Sequence, residues 1–185
     1  RYSYAFLSST GKIGAWGGGH GVGQPTDDFE LVSLVSSGRT FAAVRKTGEL
    51  VAWGGQWSGE DAGATDVPAG NNWVSISSLG DHGFAALSTT GAIGCWGNLA
   101  SVHSAAPSGD GFVSIATTDA AFAALHATGT ISAWGYAAHG GDGAPSGGSF
   151  VSITMTHAAF AAMQPTGAIS AWGDSRYGGS GAPTD

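Results

Sequence analysis

The chain has 185 residues and a formal charge of −7, and only six of its residues are Lys or Arg. Phosphate backbones and anionic lipid surfaces are bound by clustered basic side chains, so this charge excludes nucleic acid and anionic membranes as main partners. Charged residues make up 10% of the chain, against about 25% in an average soluble domain. We expect a surface with so few charged side chains to produce little charge repulsion between copies of the chain. No run of 18 apolar residues occurs, so we expect no membrane insertion.

A pattern of about 38 residues recurs five times from the first residues to the last. In each copy an aromatic residue opens a short apolar run, a Thr-Gly pair follows, and a second run ends in Trp-Gly. The opening aromatics are Tyr4, Phe41, Phe84, Phe122 and Phe160, and the matching tryptophans are Trp16, Trp53, Trp96, Trp134 and Trp172. Self-similarity at a period of this size is typical of repeat architectures.

The runs are predicted to be β-strands, because they span four to six residues and are bounded by turn residues. In chain order, the first unit (about 1–30) supplies two strands. A further strand of the Val-Ser-Ile type opens each later unit, at 31–35, 73–77, 112–116 and 150–154. The glycine of each Thr-Gly pair is predicted to adopt the left-handed conformation of a short hairpin loop. The sequence therefore predicts one repeat domain over 1–185, with units at about 1–30, 31–72, 73–111, 112–149 and 150–185.

The strands that carry FAAL-type and ISAW-type sequence have apolar or very small side chains on both faces. Such strands are typical of sheets that are covered on both sides. We therefore predict an all-β fold, a propeller-type repeat array of small three- to four-stranded antiparallel sheets. Aromatic residues would fill the space between neighbouring sheets. The predicted structural core consists of Trp16, Trp53, Trp96, Trp134, Trp172, Phe41, Phe84, Phe122 and Phe160.

The segments FAALSTTGAIGCWGN (84–98), GATDVPAGNNWVSIS (63–77) and FAAMQPTGAISAWGDSRYGGSGAP (160–183) resemble the regulator of chromosome condensation repeat family. They are most similar to its short-repeat bacterial branch, which includes propeller-type β-lactamase inhibitor proteins. The resemblance covers nearly the whole chain and implies β-propeller repeats that bind proteins. It departs from the family at the His-Ser/Thr that often precedes the FAAL-type strand, where only His82 is retained. No exchange-factor wedge or inhibitor contact loop is matched, so neither activity carries over.

The three types of strand are unequal in number, because the chain has four strands of the Val-Ser-Ile type and five of each other type. The family resemblance implies seven blades, and five units are too few. A window on a longer array, a strand supplied by a neighbouring molecule, and a five-bladed ring with an unpaired edge remain open. We expect a processed or partial chain.

The sequence predicts no catalytic residue, metal site or cofactor, and the chain is not expected to be an enzyme. The histidines occupy different repeat positions and are interpreted as scattered loop residues: His20, His82, His103, His126, His139 and His157. The acidic residues lie mostly in loops and match no calcium-binding spacing. Serine and threonine are abundant, but no G-x-S-x-G motif accompanies them.

Two features are candidates for binding. The loop 55–67 is about four residues longer than its equivalents and holds Trp57, which would be either an exposed interface anchor or a side chain folded over the sheet edge. Other loops offer Tyr136, His139, Arg176 and Tyr177, which would form one contact surface or simply face solvent.

These observations favour a non-catalytic structural module that associates with copies of itself in an extracellular structure or filament. The alternative hypothesis is a protein-binding propeller, inhibitor- or scaffold-like, that uses its loops. A propeller enzyme is the third. The predicted partners are proteins, and the predicted location is extracellular or at the cell surface.

Overall fold

The structure, a computed structural model, describes residues 3–9, 13–17, 30–37, 40–54, 66–80, 83–97 and 105–183. Within these ranges the chain forms fourteen β-strands in five sheets. The first sheet pairs β1 (Ser3–Leu7) with β2 (Ile13–Gly17), and the other four have three strands each. These are β3 (Leu31–Ser37), β4 (Thr40–Arg45) and β5 (Leu50–Gly54); β6 (Trp73–Leu79), β7 (Gly83–Ser88) and β8 (Ile93–Gly97); β9 (Phe112–Thr117), β10 (Ala121–His126) and β11 (Ile131–Gly135); and β12 (Ser152–Met155), β13 (Ala159–Met163) and β14 (Ile169–Gly173).

Each three-stranded sheet is an antiparallel meander in which the FAAL-type strand lies in the middle. The Val-Ser-Ile strand pairs with one edge of the middle strand, and the strand that ends in Trp-Gly pairs with the other. The predicted all-β fold of small antiparallel sheets is therefore confirmed. No helix in the described ranges is long and apolar enough to cross a membrane.

The hairpin glycines have the predicted left-handed conformation. Their φ angles are +85° at Gly48, +84° at Gly91, +84° at Gly129 and +90° at Gly167, a region that side chains with a Cβ rarely adopt. Gly11, the equivalent residue of the first unit, lies outside the described residues.

In each three-stranded sheet the rings of the phenylalanine and the tryptophan stack. The ring centroids lie 5.1 Å apart in the pairs Phe84–Trp96, Phe122–Trp134 and Phe160–Trp172, and 5.6 Å apart in the pair Phe41–Trp53. Phe41, Phe122 and Phe160 are register partners of their tryptophans. All eight side chains are buried. Tyr4 and Trp16 are register partners in the first sheet, but their side chains lie outside the described ones.

The described residues form two compact units, one drawn from 1–89 and 94–100, the other from 90–93 and 101–185. In the first unit, one core combines β3–β5 with β6–β8 through Ala42, Val44, Trp73, Phe84 and Trp96. In the second unit, another core combines β9–β11 with β12–β14. Its main buried members are Ala121, Ala123, Leu125, Phe150, Phe160, Ala162 and Trp172. The predicted repeat boundaries stay predictions.

Backbone hydrogen bonds join successive repeats at the hairpin glycines. The carbonyl of Gly48 accepts from the N–H of Trp73 at 3.0 Å, and Gly129 accepts from Phe150 at 3.0 Å. A Cβ at Gly48 would lie 2.1 Å from the Asn71 carbonyl oxygen. These glycines therefore serve two purposes, since they allow the turn and admit the backbone of the following repeat.

The prediction that the strands are covered on both faces holds for the middle strands β4, β7 and β10, which are buried along nearly their whole length. The strands that end in Trp-Gly are only half-buried at most positions before the tryptophan. The middle strand β13 also differs, because Met163 at its end is 43% exposed.

Candidate interaction site

Two 3₁₀ turns of equal length follow the last strands of the β9–β11 and β12–β14 sheets. The first spans Ala137–His139 and the second Ser175–Tyr177. Each ends at a glycine in the left-handed conformation, Gly140 with φ 89° and Gly178 with φ 94°. The two turns are equivalent parts of successive repeats, so they present different side chains on the same backbone geometry.

Each turn is held by a threonine that follows the first strand of its own sheet. The hydroxyl of Thr118 lies 3.0 Å from the carbonyl oxygen of His139, and it accepts a hydrogen bond from the Ala121 N–H at 3.0 Å. In the next repeat, the Thr156 hydroxyl donates to the carbonyl oxygen of Tyr177 at 2.8 Å. The sheet therefore fixes the backbone of both turns, and this defines where the side chains of the turns leave the backbone.

The side chain of His157 lies between the two turns. Its Nδ1 is 2.8 Å from a carboxylate oxygen of Asp119, and its carbonyl oxygen accepts from the Asp119 N–H at 3.1 Å. Its ring centroid is 4.9 Å from that of Tyr177 and 5.9 Å from that of His139. His157 thus joins side chains of two neighbouring repeats.

The second turn carries an ion pair. The Asp174 carboxylate caps the turn by accepting from the Arg176 N–H at 2.9 Å, and it also receives the guanidinium of Arg176, with Nη2 to Oδ2 at 2.6 Å. The hydrogen bonds from Arg176 lower the pKa of Asp174 from 3.8 to about 2, and those from its side chain have a larger effect than the one from its backbone N–H. The guanidinium carbon lies 5.9 Å from the Tyr177 ring centroid, within reach of a cation–π contact.

We call this group the histidine–tyrosine cluster. Its members are Asp119, His139, His157, Asp174, Arg176 and Tyr177. Tyr177 is 42% exposed, and the Arg176 side chain is 80% exposed. The cluster therefore offers an aromatic ring flanked by an imidazole and a guanidinium, which is a composition typical of protein interfaces.

Of the predicted binding residues, the structure brings His139, Arg176 and Tyr177 together. Tyr136 lies at the start of the first turn and is 50% exposed. Trp57 and most of its loop lie outside the described residues.

Sequence reasoning did not single out three members of the cluster. His157 lies in a loop, as predicted, but it is not isolated, because it contacts Asp119, His139 and Tyr177. Asp119 and Asp174 are covered only by the general statement that the acidic residues lie mostly in loops. The available signal was the alignment of the repeats, which places Asp119 and His157 at equivalent positions after Thr118 and Thr156.

The histidines and aspartates of the cluster are not grouped as metal ligands. Among the described residues, no group of three or more His, Cys, Asp and Glu side chains could hold a metal ion. The partners of His157 named above are a carboxylate, a second imidazole and a phenol ring. None of these is a serine or cysteine of the kind that a histidine activates in nucleophilic catalysis.

Comparison with solved structures shows the fold. The ectodomain of the receptor kinase CR4 from Physcomitrella patens matches with a TM-score of 0.67 at 21% identity, over 92% of this chain and 49% of that one. Prp20p from Saccharomyces cerevisiae matches with a TM-score of 0.65 at 13% identity, over 92% and 55%. The CRINKLY WD40 ectodomain of the Arabidopsis thaliana receptor kinase ACR4 matches with a TM-score of 0.63 at 16% identity, over 93% and 60%. No protein-family model matches the sequence, and no curated protein does.

These matches show a fold of β-propeller type for the repeat sheets, and one of the matched proteins, Prp20p, is the yeast RCC1 protein. The chain spans between about half and three fifths of the length of the structures it matches.

Proposed function

We propose that the chain is a non-catalytic protein-binding module, built from propeller repeats, which engages its partner through the histidine–tyrosine cluster. The observation that carries the proposal is the exposed Tyr177, held between His157 and Arg176 on a turn that the sheet fixes. A ring held in place before binding loses little conformational freedom when a partner covers it. Tyrosine and arginine are also enriched, with tryptophan, among the residues that contribute most to protein interfaces.

Structural neighbours support a protein partner. Prp20p binds Gsp1p and histones, and the yeast protein has been crystallised with Kap60 bound to it. Those partners belong to that protein. For the present chain, the exposed Arg176–Tyr177 pair favours a protein surface with its own aromatic groups.

The bacterial inhibitor branch supplies a more specific form of the proposal, in which the partner is an enzyme. An extracellular or cell-surface location is also part of the proposal, and two receptor-kinase ectodomains among the structural matches support it. Self-association is a second candidate function, favoured by an exposed face of the β12–β14 sheet rather than by the cluster.

The test begins with identification of a partner and ends with purified components. Proteins retained by the immobilised chain are compared between the wild type and Tyr177→Ala, and a candidate that depends on Tyr177 is then produced pure. Its affinity for the wild type, Tyr177→Ala and His157→Ala is measured by calorimetry. Loss of the ring should weaken binding about tenfold or more, as at other interface anchors.

Val74→Ala is the matched control, because Val74 is 49% exposed and lies in the other compact unit. It should bind like the wild type, and all variants should retain the wild-type circular dichroism. A purified partner that binds wild type and Tyr177→Ala equally would contradict the proposed site. Turnover of any substrate that disappears with His157→Ala would contradict the non-catalytic assignment.

A further inference from the structure

The β12–β14 sheet has one face in the core and one face exposed. Phe160, Ala162 and Trp172 point into the core shared with β9–β11. The alternate positions point the other way, since side chains along a strand alternate between faces. We call this second side the open face; it consists of Ser152, Thr154, Ala161, Met163, Ile169 and Ala171, which are register partners across the three strands.

The preceding sheet shows what normally covers such a face. Leu125 of β10 is 5% exposed, whereas Met163, its equivalent in β13, is 43% exposed. Ala123 is fully buried, but Ala161 is only partly buried. Leu125 and Ala123 belong to the core that includes Phe150, Phe160 and Trp172 of the following repeat. The open face is therefore a surface of the same type without a following sheet on it among the described residues.

The hairpin of β13 and β14 shows the same difference. A Cβ built on Gly129 would lie 2.4 Å from the backbone nitrogen of Ser149 and 2.9 Å from that of Phe150, where the next repeat begins. A Cβ on Gly167 meets no described atom within 4 Å. Two independent observations, side-chain exposure and the space at the hairpin, thus identify the same uncovered side of the sheet.

We propose that the open face binds a repeat sheet of a second copy of this chain, with β1–β2 as the sheet that docks. The β1–β2 pair has the same antiparallel register as β13–β14, with Tyr4 opposite Trp16 where the later pair has Phe160 opposite Trp172. It is therefore a sheet of the type that covers such faces within the chain. The solved propellers, of which this chain spans 49–60%, are long enough to include further sheets of this kind.

The chemistry of the open face suits such a contact. None of its six residues is charged, and Met163 and Ile169 provide apolar area, with an unbranched methionine that adapts to the surface it meets. Because the docking sheet and the open face are different surfaces, the contact is head-to-tail. Such contacts generate a ring if the rotation closes and a filament if it does not.

The first experiment measures self-association by sedimentation velocity over a range of concentrations. The wild type should shift from an 18.3 kDa species to larger species as concentration rises. Met163→Glu should weaken association about tenfold or more, because docking would bury an unpaired carboxylate. Met155→Glu is the matched control: Met155 is 44% exposed but pairs with Phe160 on the opposite face, so this variant should associate like the wild type.

The second experiment locates the docked surface. The chain has two methionines, so a Met155→Leu variant that incorporates photo-methionine carries the photoreactive group at position 163 alone. Mixing it with isotope-labelled chain distinguishes cross-links between copies from those within one copy. Cross-links from 163 to residues 3–17 of the other copy would support the proposal.

Three results would overturn the proposal. They are a wild type that stays monomeric at millimolar concentration, equal association of the two glutamate variants, and cross-links between copies confined to segments other than 3–17. Tyr177→Ala should leave self-association unchanged, so failure of this proposal and failure of the proposed partner site are distinguishable.

Discussion

The indole N–H of Trp172 donates a hydrogen bond to the carbonyl oxygen of Gly140 at 3.0 Å. Trp172 is a core residue of β14, and Gly140 ends the first 3₁₀ turn. A Cβ on Gly140 would lie 2.7 Å from the Phe160 ring, so the turn rests directly on the stacked Phe160–Trp172 pair. The core of one repeat therefore positions the turn of the preceding repeat, which carries His139 of the cluster.

Replacement of this indole tests the link. Trp172→Phe keeps an aromatic ring in the core but leaves the buried Gly140 carbonyl without its donor, which costs about 1–3 kcal/mol. Trp134→Phe is the control, because the described part of the chain offers no acceptor for the Trp134 indole N–H. We expect urea unfolding to show the larger loss of stability for Trp172→Phe. Hydrogen exchange should also rise at Gly140 and Gly141 in that variant alone, and equal behaviour of the two variants would contradict the link.

The Asp174–Arg176 pair predicts a pH dependence. The pKa of Asp174 is lowered to about 2 in the folded chain from 3.8, so the folded state binds its proton less readily than the unfolded state. The stabilisation is therefore fully present above pH 3.8 and is lost as the pH falls toward 2. Arg176→Gln should move the pKa of Asp174 up toward 3.8, as measured by carboxyl NMR titration. Lys46→Gln removes a charge of the same sign from the other compact unit and should leave the Asp174 titration where it is.

The sequence was sufficient to predict the sheets, because the signals that determine them are local and repeated. The Thr-Gly pairs specify hairpins, and the aromatic and tryptophan positions 12 residues apart become register partners such as Phe122 and Trp134. An error in reading one repeat would have been corrected by the other four. The stacked pairs and the left-handed glycines follow from the same spacing.

The cluster could be predicted only in part, because it depends on contacts between repeats. His139 and Tyr177 are equivalent positions, and comparison of the repeats identifies both as loop residues. His157 and Asp119 are also equivalent to each other, yet they bond across the junction between two repeats at 2.8 Å. Alignment of the repeats shows which residues correspond, but it does not show which residues of neighbouring repeats touch. The open face was missed for the same reason, since Met163 resembles Leu125 in sequence and differs only in what covers it.

The two turn-anchoring threonines should differ in their contribution to stability. Thr118 is 4% exposed, and its hydroxyl both contacts the His139 carbonyl and accepts from the Ala121 N–H. Thr118→Val keeps the shape but leaves those buried backbone groups unpaired, at a cost of about 1–3 kcal/mol. Thr156→Val removes the equivalent bond to Tyr177 at an exposed residue, where water replaces the hydroxyl, and should cost about 0.5 kcal/mol. Chemical denaturation of the two variants measures the difference, and an equal loss would show that the Thr118 hydroxyl is not a structural anchor.

The hairpin glycines provide a comparison of two otherwise identical sites. Gly129 has φ +84° and Gly167 has φ +90°, so an alanine at either position pays the left-handed penalty of about 1–2 kcal/mol. At Gly129 the new Cβ would also lie 2.4 Å from the Ser149 nitrogen, next to the Gly129 carbonyl that accepts from the Phe150 N–H at 3.0 Å. We expect Gly129→Ala to lose about 1–3 kcal/mol more than Gly167→Ala in urea unfolding, the range that overpacking costs in well-packed interiors. Equal losses of stability at the two positions would mean that the junction between the repeats accommodates a methyl group. The glycines would then be required only for the conformation of the turn.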